Sequence, residues 1–134
     1  MGAAASRIAA AALLLGACTS INAGAGTFEG TRWQVAATNG QPTPRTEVYR
    51  LSFDDGRIGA RFGCNSIGGT YRVEGEMLVI GDLASTLMGC PEPAATHETR
   101  GSAVLGQPMR MDWQSGSRIT LSNAAGSLVL ERLP

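Results

Sequence analysis

The sequence predicts an α+β domain, mainly antiparallel β: a cracked or partial β-barrel of about eight short strands, with one helix inserted before the last three. Three observations lead there. Apolar and polar residues alternate in short runs along most of the chain. Turn-forming clusters (Asp54-Asp55-Gly56, Glu74-Gly75-Glu76 and Asn123–Gly126) separate those runs. A single stretch, Pro91–Leu105, breaks the alternation.

The elements follow in order. Thr31–Ala37 is a first strand with Trp33 and Val35 on one face. Asn39–Thr46 carries Gly40, Pro42 and Pro44 and reads as a loop. In Val48–Phe53, Tyr49, Leu51 and Phe53 alternate with Arg50 and Ser52, the pattern of a half-buried strand. Asp54-Asp55-Gly56 then closes a hairpin, because Asp-Gly adopts positive φ at low cost. Arg57–Phe62 pairs back, with Ile58, Ala60 and Phe62 pointing one way. Gly63–Gly69 reads as a corner in which Gly63, Gly68 and Gly69 supply the bend and the Asn65 side chain caps it. Gly68–Val73 is the next strand, and Met77–Ile80, apolar on both faces, is expected to be central.

Pro91–Leu105 is the helix, with Pro93 in its first turn and Gly106 and Pro108 as its stop. Gly101 weakens its interior by about 1 kcal/mol. Met109, Met111 and Trp113 alternate with Arg110 and Asp112, and Arg118–Ser122 and Ser127–Arg132 flank the last turn. The helix is expected to plug or cover the open side of the barrel, where bare strand edges invite aggregation.

The amino terminus has a different character. Residues 1–17 hold one charge, Arg7, and an apolar run, Ile8–Leu15, too short to span a bilayer. The run closes on Leu15-Gly16-Ala17-Cys18, the pattern of a lipobox, which makes Cys18 the lipidated first residue of the mature chain. The alternative is an ordinary secretory signal with an incidental cysteine. Residues 18–27 are small and polar and read as a flexible tether, with the domain occupying 28–134. A coil of about nine residues spans roughly 15–18 Å, so the domain stays near the bilayer. These features place the protein in the cell envelope, lipid-anchored on the periplasmic face. Thr19 stands where an aspartate retains many such proteins at the inner membrane, which favours the outer membrane.

With Cys18 lipidated, Cys64 and Cys90 remain. An even count in an exported domain suggests a disulfide, the alternative being two free thiols. All 11 basic residues are arginine, against 11 acids, and they are scattered along the chain. That pattern carries no nucleic-acid footprint and removes a Schiff-base or phosphate-loop lysine.

Two cysteine frames carry a family resemblance. The first is Arg61-Phe62-Gly63-Cys64-Asn65-Ser66, running on to Gly69-Thr70-Tyr71; the second is Leu83-Ala84-Ser85-Thr86-Leu87-Met88-Gly89-Cys90. With the helix bearing Glu98 and the ending Ile119–Ser122 and Gly126–Leu130, they make residues 28–133 resemble the META domain family, which includes the HslJ-like heat-shock lipoproteins of bacteria. The helix is shorter and richer in proline and alanine than the family's usual one. The resemblance implies a cracked barrel with one helix, an envelope protein, and a link to stress or drug tolerance. It implies no catalytic residues.

The residues themselves point away from catalysis. His97 is the only histidine, and Cys90 and His97 are not spaced as a compact zinc hook. The glycine-rich stretch lies between strands with no lysine after it. Ser85 and Thr86 lack a nucleophile-elbow context and are expected to satisfy backbone groups where the chain leaves the sheet. Asp54 with Asp55, and Glu74 with Glu76, sit in turns. No enzyme activity, cofactor or metal is expected. Met77, Met88, Met109 and Met111 are expected mostly in the core. An incompletely closed barrel would let Leu105, Met109, Met111 and Trp113 line a cleft for an apolar ligand or peptide. The reading is therefore a non-enzymatic envelope lipoprotein that binds an envelope protein or a small apolar ligand. Its rival is an inhibitor of an envelope hydrolase, presenting Gln41–Thr46 or the Gly63–Gly69 corner as a rigid loop.

Overall fold

The computed structural model describes Gly2 and residues 28–134. The signal segment, Cys18 and the tether lie outside the described residues. Among the described residues the full elements are nine strands and one helix: β1 Thr31–Thr38, β2 Gln41–Pro42, β3 Tyr49–Asp54, β4 Arg57–Phe62, β5 Ser66–Glu74, β6 Met77–Ser85, α1 Ala94–Leu105, β7 Met109–Ser115, β8 Arg118–Asn123 and β9 Gly126–Arg132. All pairings are antiparallel, and β1 pairs with β9, so β1 and β3–β9 form an eight-stranded barrel with β2 outside it.

The alternation seen in sequence is the pleat of these strands. Trp33, Leu51, Phe53, Phe62, Leu121 and Leu130 point inward and are wholly or almost wholly buried. Phe28 also lies in the core, its ring 4.7 Å from Phe53 and 5.6 Å from Trp113. Asp55 and Gly56 both take positive φ, as the hairpin between β3 and β4 requires. Glu29 fastens that turn from outside by accepting the Asp55 and Gly56 amides and the Tyr71 hydroxyl. The Tyr71 bond lowers the pKa of Glu29, while burial and Glu29 together push Tyr71 up to about 12.

Three expectations change. The loop after β1 contains β2, because Gln41 and Pro42 pair with Thr38 and Ala37 where β3 no longer reaches. Gly68 and Gly69 belong to β5 and not to the corner, which only Gly63 turns, with φ 103°. A Cβ on Gly63 would meet the Tyr49 hydroxyl at 2.5 Å and Ala94 at 2.7 Å. Strand β6 is not fully central. It pairs with β7 only at Met77 and Leu78, and this short seam is the crack in the barrel.

The helix packs mainly on β1, β4 and β9 and closes one end of the barrel. It begins at Ala94, with Pro93 as its N-cap, and Glu92 accepts the Thr96 amide and hydroxyl at 3.3 and 2.7 Å. Gly101 is required by packing, since a Cβ there would penetrate the Phe62 ring. Alanine would gain about 1 kcal/mol of helix propensity but overpack the site at a cost of roughly 1–3 kcal/mol. Gly101→Ala is thus expected to lower stability, with Gly101→Val worse, as read by urea denaturation; a stabilised Gly101→Ala would contradict this packing.

Candidate functional site

The two cysteine frames meet at one place on the barrel rim. Strand β4 ends at Phe62, Gly63 turns the chain, and Cys64 and Asn65 follow before β5. After β6 the chain leaves the sheet and runs as an irregular strap, 86–93, to the helix. Cys64 and Cys90 are joined by a disulfide, their Cα atoms 5.9 Å apart. The bridge ties the strap to the corner.

Asn65 organises the contact. Only 4% exposed, its side chain has every hydrogen-bonding valence filled. Nδ2 donates to Glu98 Oε2 at 2.7 Å and to the Met88 carbonyl at 3.2 Å. Oδ1 accepts the Met88 amide at 2.7 Å and the Thr86 hydroxyl at 2.9 Å. The Asn65 amide donates to Glu98 Oε1 at 2.7 Å, so the helix joins the same network. Thr86 Oγ1 accepts the Ser66 amide at 3.0 Å, and Ser85 Oγ donates to the Thr86 carbonyl at 2.8 Å. Those hydroxyls do the backbone work expected of them.

The clamped strap presents apolar side chains to solvent. Leu87 is 95% exposed and Met88 58%, with Leu83 exposed on the last part of β6. Met88 is therefore not a core methionine. The backbone bonds to Asn65 hold its main chain inward and leave its side chain outside.

The other sequence-predicted residues lie elsewhere. Leu105 and Met109 have no exposed surface and fill the core, while Met111 and Trp113 pack against it half-buried. Core packing, not a cleft, occupies these four. His97 is buried on the inner face of the helix, its Nδ1 2.7 Å from Thr38 Oγ1 and its ring edge-on to Tyr49. Burial, reinforced by Arg100, lowers its pKa against the opposing pull of Glu92. Of the paired acids, Asp55 and Glu76 lie in turns, whereas Asp54 and Glu74 are the last residues of β3 and β5. Cys64, Cys90 and Glu98 have ligand atoms within 4.8 Å of one another, but both sulfurs are held in the disulfide, which removes them as thiolate ligands. The loop 41–46 is fixed to β1 through the Thr43 hydroxyl on the Val35 carbonyl and the Thr43 amide on Ala36 at 3.1 Å.

Among the described residues, no helix is long and apolar enough to cross a membrane. No curated protein matches the chain. Solved structures resemble its fold. One NMR structure superposes with a TM-score of 0.70 at 22% identity, over 80% of this chain and 92% of its own. An NMR structure of a protein from Burkholderia xenovorans gives 0.64 at 18% identity, over 81% and 86%. A crystal structure of a lipocalin-like protein from Bacteroides uniformis ATCC 8492 gives 0.53 at 17% identity, over 81% and 100%. At these identities the likeness concerns fold. The META domain profile matches residues 26–133, taking in both cysteine frames, the helix and all nine strands, and on that match the chain belongs to the META domain family.

Proposed function

We propose that this protein is a non-enzymatic, HslJ-like lipoprotein of the cell envelope that docks a protein partner through the strap carrying Leu87 and Met88. The carrying observation is an almost fully exposed leucine on a backbone held by a disulfide and the Asn65 bonds. Exposed apolar side chains cost nothing to desolvate on binding, and a loop ordered beforehand loses little entropy when it docks. A filled barrel supports a surface mode over an interior ligand. The inward His97, in contact with Thr38 and Tyr49, supports a non-catalytic role.

The lipid anchor at Cys18 and the outer-membrane location belong to this proposal. So does the rival mode, inhibition of an envelope hydrolase, with the strap rather than the 41–46 loop as the inserted element.

The test places a photo-crosslinking residue at position 87 of the full chain in cells. A discrete protein adduct is expected, reduced about tenfold or more by Met88→Asp, as for a central contact. The substitution should change stability by no more than about 0.5 kcal/mol, because the side chain is exposed. Adducts identical to those from a probe in the Glu76 turn would refute the docking surface. Inhibition of lysozyme or a periplasmic protease by the purified chain would select the rival mode.

A further inference from the structure

Beside the strap, the outer wall of the barrel carries a groove of about 310 Å³ lined by Arg32, Arg50, Arg61, Ser52 and Ser66 together with Gly59 and apolar residues of β3, β4 and β5. Its construction follows from strand register. Arg32 stands opposite Ser52, Ser52 opposite Gly59, and Gly59 opposite Gly68. The next outward row runs Gln34, Arg50, Arg61, Ser66. The two glycines leave the first row without side chains across β4 and β5, which makes the depression. A Cβ on Gly68 would meet nothing nearer than the Ile58 carbonyl at 3.8 Å, so its backbone tolerates a side chain that the groove does not have.

The charge arrangement is unfavourable as it stands. Arg50 and Arg61 are direct cross-strand partners, and like charges in that position repel. Arg50 Nε is buried without a hydrogen-bond partner. Among the described residues, Arg32 reaches only the Pro134 oxygen and Arg61 only the Cys64 carbonyl, both at 3.4 Å. Among the described residues no side-chain carboxylate pairs with any of the three; Arg57, Arg100 and Arg132 share that lack, while Arg45, Arg72, Arg110 and Arg118 each have one. The nearest acid along β3 is Asp54, one row on and opposite Arg57. An orphaned guanidinium N–H beside two further arginines and two hydroxyls lacks one thing, a multivalent oxyanion.

We propose that this groove is a binding site for a phosphate group, held by Arg32, Arg50 and Arg61 with Ser52 and Ser66 as neutral donors. Arginine suits it because its planar fork engages two oxyanion oxygens at once. The site is independent of the docking strap, although Ser66 touches both through its amide on Thr86.

The experiment follows the Arg Nε–Hε signals of the full chain in detergent micelles by NMR. Inorganic phosphate is added in one arm. In the other, the micelles are doped with phosphatidic acid, with phosphatidylcholine as control. Saturable shifts at Arg50 are expected in at least one arm, with affinity falling about tenfold or more in Arg61→Gln through loss of charge-assisted bonds. Arg61→Gln is at an exposed position, and Arg32→Gln serves as a second exposed variant. Preference for doped micelles identifies a lipid headgroup, and preference for inorganic phosphate a soluble one. Absence of saturation in both arms, or equal affinity in both variants and the parent, would overturn the site. Met88→Asp should leave the phosphate response intact, which separates this site from the docking proposal.

Discussion

Replacing both Cys64 and Cys90 by serine is expected to lower stability by roughly 3–3.5 kcal/mol. The bridge closes a loop across a sequence separation of 26 residues, and its main effect in the chain-entropy account is to restrict the unfolded chain. Against a total that is commonly ~5–15 kcal/mol, that loss is a substantial fraction. The native strap would persist in part, because Asn65 still holds Thr86 and Met88. Urea denaturation of the double variant, beside the parent with and without reductant, measures the effect. The reduced parent should match the variant. A double variant within about 0.5 kcal/mol of the oxidised parent would show that the bridge adds nothing to the fold.

Asn65→Ala is expected to lose about 2–4 kcal/mol, because it strands the Met88 amide and carbonyl and removes a donor from the Glu98 carboxylate in a part-buried site. Asn65→Asp separates hydrogen bonding from shape. It keeps the volume but turns the Nδ2 donor, 2.7 Å from Glu98 Oε2, into an anionic acceptor facing another carboxylate. It should therefore be at least as damaging as alanine near neutral pH. Because Asn65 adjoins Cys64 and both restrain the strap, their combined loss should differ from the sum of the separate losses. Hydrogen exchange gives a second reading, with the Met88 amide losing protection while the β3–β4 amides keep theirs. An Asn65→Asp protein as stable as the parent would refute the network.

The filled core changes where function can reside. Leu105, Met109, Met111 and Trp113 looked available in sequence because alternating methionines beside an aromatic suit either a core or a greasy cleft. The choice depends on how far the barrel closes. Here β1 meets β9 and the helix seals an end, so those side chains pack against one another. The surface is left to do the binding. Two of its features, the apolar strap and the arginine groove, share Ser66 at their boundary.

Local pattern was enough for eight of the nine strands, the turns between them and the position of the helix. A two-residue period is dictated by the pleat, and positive-φ turns favour a few residue types, so Tyr49–Phe53 and Asp54-Asp55-Gly56 announce themselves without knowledge of their neighbours. The cysteine frames were legible for the same reason, as contiguous words. Long-range proximity was not. Gly101 reads as a weak helix position until Phe62 is laid against it, and Gly68 as a bend until it is paired with Gly59. The arginines at 32, 50 and 61 look scattered along the chain. Strand register alone brings them to one wall, because a pairing shift of a single residue would send their side chains to the opposite face.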